Sequence, residues 1–397
     1  MRILYLCQDH GVPVMGQKGS STHVREFARA LQKEGHDVHV LCSLCAPASA
    51  AQNPDAFIPP FPLTELRPSR SKLLGYDLRN YLHNWPFYYA AKRIISELRI
   101  EAIYERFSLY GLAGDWLGRR LLLPRVVEGN AFLSREHRTK LHFPQWAERC
   151  ENQVLRGAPA LTAVAEPLRE EMLARGARPN AVHILPTAVD TDLFHPDSER
   201  RNAVRDRLHL QNKFVIGYVG GLAGWHGISS LLDMAAILKE HRTDFVFLIV
   251  GGEERHVREQ ETNARARGLE THFIFTGSLP YPEVPAHINA MDAAIVPDTL
   301  PWTCPTKLFE YQASGVPSAA PDYPGVTQAL TDGVEGLLFP KKNVPEAAQR
   351  LLTLMENPER CAEIATRARA RVCAEHAWSC NVKTVLGFFE AQRANRP

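Results

Sequence analysis

Short apolar runs alternate along the chain with longer segments whose apolar residues recur every three or four positions. The short runs lack polar alternation, which is typical of parallel strands covered on both faces. The longer segments follow the helical period; Val24, Phe27, Ala28 and Leu31, for example, share one helix face. The pattern predicts strands at residues 3–6, 38–42, 102–104, 126–128, 161–164, 214–219, 245–250, 273–275, 293–296 and 318–320, with a late edge strand at 336–339.

Strands that alternate with helices form parallel sheets with crossover helices, so the two series predict two Rossmann-like α/β domains. The break between them falls near residues 186–201, a stretch rich in proline and aspartate. We expect a first domain over residues 1–195, a second over 196–375, and a tail over 376–397 that forms a helix beginning near Trp378.

Composition narrows the function classes without naming one. The chain has 397 residues and a net charge of +2, which argues against a large nucleic-acid footprint. It contains no apolar run near the roughly 20 residues that span a bilayer, and its start does not resemble a signal peptide. The eight cysteines are scattered, and their one CxxC pair, Cys42 and Cys45, has no second pair to complete a metal site. We therefore expect a cytoplasmic protein with free thiols and no metal site.

The most informative segment is residues 304–317. Lys307 and Glu310 lie one turn apart near the start of a short predicted helix, with Pro305 at its first position and Gly315 as its left-handed cap. A helix N-terminus with a lysine is suited to a phosphate, and a carboxylate one turn deeper can accept hydrogen bonds from ribose hydroxyls. The alternative is an ordinary capped helix with a surface ion pair.

Other polar residues follow predicted strands, at the sheet edge where α/β folds bind ligands. A loop with Gly19 and Ser20 precedes the first helix and His23, and a Gly-rich turn over residues 220–227 follows the strand at 214–219. Two more strands end in Tyr104-Glu105-Arg106 and Glu128-Gly129-Asn130. For the two loops, the alternative is a plain βα turn, with a serine cap in the first of them. For the two strand-end motifs, the alternative is a structural ion pair.

Residues 67–99 mix arginines and lysines with tyrosines, phenylalanine and tryptophan. This composition suits a surface that touches anionic lipid head groups at the inner face of a membrane. An acceptor-side surface helix whose cations extend into solvent is the alternative.

Taken together, these segments resemble the family 4 retaining glycosyltransferases. The resemblance rests on residues 19–24, 34–38, 186–194, 225–227 and 307–317, in that order, and covers nearly the whole chain. It implies the GT-B fold, in which two Rossmann-like domains face each other across a cleft and the C-terminal helix crosses back to the first domain. It also implies transfer of a sugar, with retention, from a nucleotide-diphosphate sugar to a glycan, lipid-linked or small-molecule acceptor. No metal and no further cofactor is expected.

The resemblance assigns roles by position. The expected catalytic residues are Asn130 and Lys307, and the expected acceptor-side residues are His23, Arg106 and Glu128. The expected donor-binding residues are Gly19, Ser20, Gly221, Trp225, His226, Thr306, Lys307, Leu308 and Glu310. The chain departs from the family pattern at Trp302, where a glutamate commonly contacts the donor sugar. Trp302 allows a catalytically impaired nucleotide-sugar-binding protein as an alternative function, and a nucleotide-sugar epimerase of the same architecture is another.

Overall fold

The computed structural model describes residues 1–16, 18–46, 60–69, 75–222 and 227–394. The chain forms two compact units. The first contains residues 1–185 and the C-terminal segment from Trp378 onwards, and the second contains residues 186–377.

The first unit is built on a seven-stranded, fully parallel sheet with the order β3-β2-β1-β4-β5-β6-β7. The chain adds strands to one side of β1 and then to the other, so the strand order reverses between β1 and β4. The strands are β1 (Arg2–Cys7), β2 (Asp37–Cys42), β3 (Leu63–Glu65), β4 (Ala102–Arg106), β5 (Arg125–Gly129), β6 (Ala160–Ala163) and β7 (Val182–Ile184).

The helices of the first unit connect these strands, and a final helix returns to the unit from the end of the chain. They are α1 (Gly19–Lys33), α2 (Tyr76–Leu82), α3 (Asn84–Leu98), α4 (Ala113–Leu121), α5 (Leu133–Glu136), α6 (Pro144–Gly157), α7 (Glu166–Ala174) and α16 (Trp378–Ala394). Helix α16 packs on α1 and β5, and the Gln392 side chain pairs with both the backbone N–H and the C=O of Arg125, at 2.8 and 3.0 Å.

The second unit has a six-stranded parallel sheet with the order β10-β9-β8-β11-β12-β13, which reverses between β8 and β11. Its strands are β8 (Phe214–Val219), β9 (Phe245–Val250), β10 (Phe273–Gly277), β11 (Ala293–Ile295), β12 (Ser318–Pro321) and β13 (Leu337–Phe339). Its helices are α8 (Ser198–Arg207), α9 (Ile228–His241), α10 (Glu254–Ala266), α11 (Val284–Asn289), α12 (Thr306–Ala313), α13 (Pro324–Thr327), α14 (Val344–Glu356) and α15 (Pro358–Glu375).

The two Rossmann-like sheets predicted from the sequence are confirmed, and each predicted strand coincides with an observed strand to within two residues at either end. The sequence pattern missed β3 and β7. Each of them has only three residues and lies at an edge of the first sheet, where one neighbour is enough and a long apolar run is not needed.

Candidate functional site

The carboxyl ends of β8 and β11 flank the point where the strand order of the second sheet reverses. Such a point leaves a crevice in which open α/β sheets bind ligands. Helix α12 follows β11, so its first turn lies at this edge.

Lys307, in the first turn of α12, contacts the end of β8 just before the Gly-rich loop. Its Nζ lies 4.3 Å from the ring centre of Tyr218 on β8 and donates a 3.2 Å hydrogen bond to the Tyr218 hydroxyl. That hydroxyl in turn donates a 2.7 Å bond to the carbonyl of Gly221. Burial lowers the pKa of Lys307 to about 8, although the nearby carboxylate of Glu310 acts in the opposite direction. An anion that binds beside this partly dehydrated ammonium group would stabilise its charged form.

A second contact from α12 fixes the position of the helix against the sheet. The hydroxyl of Tyr311, one turn after Lys307 and fully buried, accepts a 2.8 Å hydrogen bond from the backbone N–H of Val219 at the end of β8. Since Lys307 and Tyr311 are spaced i, i+4 and share one helix face, this bond also fixes the lysine beside the strand end.

Gly220, the first residue of this turn, must lack a side chain. Its φ is +141°, and a Cβ there would lie 2.9 Å from Lys307 Nζ and 3.1 Å from the Tyr218 hydroxyl. Only glycine adopts this conformation without strain. It therefore leaves the lysine ammonium beside bare backbone.

Glu310 is buried one turn into α12, with 6 % of its surface exposed. Its Oε1 accepts a 3.4 Å hydrogen bond from the hydroxyl of Tyr281, whose ring packs 5.6 Å from Phe194. The carboxylate and Lys307 are thus held in the second unit by separate partners and do not form the exposed surface ion pair that the sequence left open.

The ends of α12 follow the predicted signals with one correction. Pro305 is the N-cap rather than the first helical residue, because its extended backbone (ψ 113°) lets its carbonyl accept the bond from Leu308 N–H. Proline has no side-chain oxygen, so the N-cap of α12 provides no side-chain hydrogen bond to the first backbone N–H groups of the helix. Gly315, with φ +69°, is the predicted left-handed cap.

The other donor-side residues predicted in the second unit fall into two groups. Gly221 and Thr306 lie at this same edge, and Leu308 is fully buried, so only its backbone can face a ligand. Trp225 and His226 lie outside the described residues.

The first unit gathers its predicted residues around Glu128. The register of β4 and β5 places Arg106 opposite Glu128, and their charged groups are 3.7 Å apart. The Nε2 of His23 on α1 contacts Glu128 Oε1, and the hydroxyl of Tyr5 donates a 3.2 Å bond to Oε2. His23 is held from the other side by the ring of Trp378, the first residue of α16, at 4.9 Å.

The pKa of Glu128 records this environment. Burial alone would raise it, but His23, Arg106 and Asn130 stabilise the carboxylate and lower its pKa to about 2. Glu128 is therefore a permanent anion that orients His23.

The neighbouring carboxylate, Glu105, lies on the opposite face of the sheet. It pairs there with Arg125, which also binds the buried Asp115. Burial raises the pKa of Glu105 to about 7 despite Arg125. The first strand-end motif is thus divided across the sheet: Glu105 belongs to a structural network, whereas Arg106 lies with Glu128 of the second motif.

Gly19 and Ser20 begin α1, directly before this cluster. The helix has no side-chain N-cap bond, so the serine cap considered from the sequence is not formed. The preceding loop is instead held by the buried Arg25, whose NH1 donates to the carbonyls of Val14 (2.8 Å) and Gly16 (2.6 Å).

The basic and aromatic segment forms α2 and α3, while residues 70–74 lie outside the described part. Trp85 and Tyr89 on α3 are 42 % and 64 % exposed. The segment thus presents aromatic side chains at the surface of the first unit.

The sequence missed four residues that organise these sites: Tyr218, Tyr281, Tyr311 and Arg25. Tyr218 lies in an apolar run, Tyr281 between two prolines, and Tyr311 between two polar residues of a helix, so none of the three stands out in the sequence. Arg25 follows the helical pattern of α1 without interrupting it. Only the folded positions of these residues identify their partners.

Within the described residues, no group of three or more His, Cys, Asp or Glu side chains is arranged to hold a metal ion. Cys42 and Cys45 carry free thiols, and burial raises the pKa of both. No helix in the part of the chain that the structure describes is long and apolar enough to cross a bilayer.

Two family models match the chain, one on each half. The model described as Glycosyltransferase Family 4 matches residues 18–193, and the model described as Glycosyl transferases group 1 matches residues 199–371.

Similar proteins include transferases of different sugars. The chain is 27 % identical over 284 residues to the alpha-D-kanosaminyltransferase of Streptomyces kanamyceticus, covering 69 % of this chain and 72 % of that protein. It is 25 % identical over 291 residues to the GDP-mannose-dependent alpha-(1-6)-phosphatidylinositol monomannoside mannosyltransferase of Mycolicibacterium smegmatis, covering 70 % and 73 %.

Among solved structures, the fold matches HepE of Anabaena in complex with UDP-glucose. The TM-score is 0.75 at 20 % identity, over 98 % of this chain and 100 % of HepE. The fold is therefore of the GT-B type.

Proposed function

This chain belongs to glycosyltransferase family 4, and we propose that it moves a sugar from a nucleoside diphosphate sugar to an acceptor hydroxyl with retention of the anomeric configuration. The chain is a glycosyltransferase by family; the donor, the stereochemistry and the acceptor are the proposed parts. The observation that carries them is the pairing of Lys307 and Glu310 on α12 at the reversal of strand order.

Lys307 and the first turn of α12 would bind the diphosphate. The ammonium beside Gly220 and the uncapped helix N-terminus both favour negative charge. The buried Glu310 would accept hydrogen bonds from the ribose hydroxyls. The nucleobase is not assigned, because UDP in the HepE complex and GDP in the name of the mycolicibacterial relative differ only beyond the ribose.

Transfer breaks the bond between the anomeric carbon and the diphosphate oxygen, and the electron pair stays on the diphosphate. Lys307 would stabilise this charge as it grows, so it acts more strongly in the transition state than in the bound donor. The acceptor oxygen would bond to the anomeric carbon on the face that the diphosphate leaves, and its proton would pass to a phosphate oxygen. None of the described residues is needed as a covalent nucleophile in this scheme.

The first unit would supply the acceptor side. Glu128, anionic at any physiological pH, orients His23, and Arg106 and Asn130 complete a polar cluster at the carboxyl edge of the sheet. We propose that His23 contacts an acceptor hydroxyl and that Asn130 assists near the reacting sugar. Gly19 and Ser20 at the N-terminus of α1 would contact the donor's anionic groups.

The acceptor could be a glycan, a lipid-linked sugar or a small molecule. The similar proteins named above include a mannosyltransferase whose name contains phosphatidylinositol monomannoside and a kanosaminyltransferase of a Streptomyces species. A lipid-linked acceptor would suit the exposed aromatic residues of α3, which could contact a membrane surface.

A nucleotide-sugar-binding protein without transfer is a second candidate. It is favoured by Trp302, a half-buried tryptophan in the loop before α12 where family members commonly have a sugar-contacting glutamate.

Incubation with radiolabelled UDP- and GDP-sugars and a panel of acceptor alcohols tests the proposal. We expect labelled glycoside, whose anomeric coupling in NMR matches that of the donor. An inverted product would overturn the retaining scheme, and an epimerised donor would indicate an epimerase. Tight donor binding without transfer or donor hydrolysis, on the whole panel, would favour the binding protein.

A further inference from the structure

A pocket of about 400 Å³ opens on the helical surface of the first unit, and most of its wall is cationic. It is lined by Arg119 of α4 and by Arg149, Asn152, Gln153 and Arg156 of α6. We propose that this arginine pocket binds a phosphate-bearing ligand.

The α6 wall is one stripe of a single helix face. Positions 149, 152, 153 and 156 are spaced i, i+3, i+4 and i+7, so their side chains lie above one another. Two guanidinium groups, at Arg149 and Arg156, therefore project from the same side of α6 with two amides between them.

The other wall of the pocket is Arg119 of α4, which a fully buried carboxylate holds in place. Asp115 accepts bonds from Arg119 Nε at 3.0 Å, Gln153 Nε2 at 3.2 Å and Arg125 NH2 at 2.9 Å. A side chain at Gly157 would collide with both the Arg119 guanidinium and Asp115. The glycine thus lets Arg119 lie close to the end of α6, and the wall is held in place before any ligand arrives.

The pocket has more positive than negative charge. Asp115 is already matched by Arg125 and Arg119, whereas Arg149 and Arg156 have no ion-pair partner among the described residues. The nearby Glu148 of α6 is directed to Arg138, at 3.7 Å. Planar guanidinium groups bind phosphate oxygens in pairs, and about 400 Å³ lies in the range of small-ligand sites.

A simpler explanation covers only part of this arrangement. Arg119 and Arg156 lie in the last turns of α4 and α6, where a cation stabilises the helix dipole. Arg149 lies in the middle of α6, where the dipole offers no such gain, and it faces the same pocket. The concave shape likewise does not follow from helix stability.

The pocket is separate from the cluster around Glu128. Helices α4 and α6 run back to the amino ends of β5 and β6, so Arg119 and Arg156 lie near the amino edge of the sheet. His23, Arg106 and Glu128 lie at its carboxyl edge. A ligand in the arginine pocket would therefore not be the acceptor group that reacts, and the proposal does not depend on the proposed function.

The phosphate could come from a soluble metabolite or from a lipid head group. Trp116 of α4 packs 5.3 Å from the exposed Trp85 of α3, which extends the same surface with aromatic residues suited to a membrane interface. The shared chemistry is the phosphate, and the two sources need separate measurements.

The first measurement is calorimetric titration of the full chain with inorganic pyrophosphate. It is made in a Lys307→Met background, because the donor site of the second unit would also take a diphosphate. We expect binding that weakens at higher salt and that Arg149→Glu with Arg156→Glu reduces by about ten-fold or more. Arg265→Glu is the matched control, since Arg265 is an exposed arginine in the last turn of α10.

The second measurement is co-sedimentation with phosphatidylglycerol vesicles, with phosphatidylcholine vesicles as the uncharged comparison. Pyrophosphate binding that depends on Arg149 and Arg156 supports a soluble ligand, and vesicle binding with the same dependence supports a lipid head group. Equal binding by wild type and the double variant in both measurements overturns the proposal. Arg149→Gln with Arg156→Gln, checked by thermal unfolding, replaces the reversal variant if that one does not fold.

Discussion

The ammonium group of Lys307 lies 4.3 Å above the ring of Tyr218 and donates to its hydroxyl, which itself donates to the carbonyl of Gly221. A tyrosine on a strand, a lysine on a helix and a loop carbonyl thus form one chain of contacts. The lysine is consequently placed at the strand end while losing part of its hydration. Its pKa, about 8 against the usual 10.5, reflects that loss.

This relationship predicts a pH dependence of diphosphate binding. With a pKa of about 8, Lys307 is mostly charged at pH 7 and mostly neutral at pH 9, so raising the pH removes the cation that the diphosphate needs. We expect the Kd for a nucleoside diphosphate to rise above pH 8, by up to about ten-fold per pH unit. Calorimetry from pH 6.5 to 9.5 measures it.

Lys307→Met is the control for that profile. The variant should bind more weakly at pH 7 and show no rise in Kd around pH 8. A wild-type profile as flat as that of the variant would mean that Lys307 does not contact the diphosphate.

Glu310 should discriminate between ribose and deoxyribose. If its carboxylate accepts from the ribose hydroxyls, Glu310→Ala should weaken nucleoside diphosphate binding by about 1–3 kcal/mol. The same variant should bind the 2′,3′-dideoxy nucleotide about as well as the ribonucleotide. Competition binding with the two nucleotides tests this; an unchanged preference for the ribonucleotide in a folded Glu310→Ala protein would remove Glu310 from the site.

Tyr281→Phe distinguishes the contribution of the Glu310 carboxylate from that of the hydroxyl that binds it. This substitution removes the 3.4 Å bond to Glu310 but keeps the aromatic packing on Phe194. We expect a smaller loss of nucleotide affinity than in Glu310→Ala, with the ribose preference retained.

The Glu128 cluster should affect transfer and leave donor binding unchanged. His23→Gln removes the group that Glu128 orients, so kcat should fall by about a hundred-fold while the donor Kd stays the same. Steady-state kinetics and donor titration measure the two quantities. Glu105→Gln is the comparison, because its carboxylate lies on the other face; equal kinetic losses in both variants would indicate a general structural effect.

The buried ion pairs of Arg125 with Asp115 and Glu105 should contribute to the free energy of unfolding. Asp115→Ala leaves Arg125 buried with one partner fewer, so we expect a loss of about 3–5 kcal/mol in the free energy of unfolding. Arg93→Ala, which removes an exposed pair with Glu97, should cost well under about 1 kcal/mol. Urea unfolding of the two variants gives the comparison, and similar values for both would contradict a structural role for Asp115.

The sequence by itself determined most of the strands and the local signals of one helix. Parallel strands buried on both faces need uninterrupted apolar residues, so the sequence pattern predicts both ends of β8 and β9 correctly. Helix α12 carries its signals locally: Gly315 as a cap and Lys307 one turn before Glu310 are consequences of spacing alone.

Tertiary structure decided which polar residues act together. Glu105 and Glu128 occupy similar places at neighbouring strand ends, but the direction of each side chain across the sheet gives one Arg125 and the other His23. The partners Tyr218 and Lys307 are 89 residues apart, and Asp115 meets Gln153 across 38 residues. No local pattern records such pairs, because burial, register and helix packing create the contact only once the chain has folded.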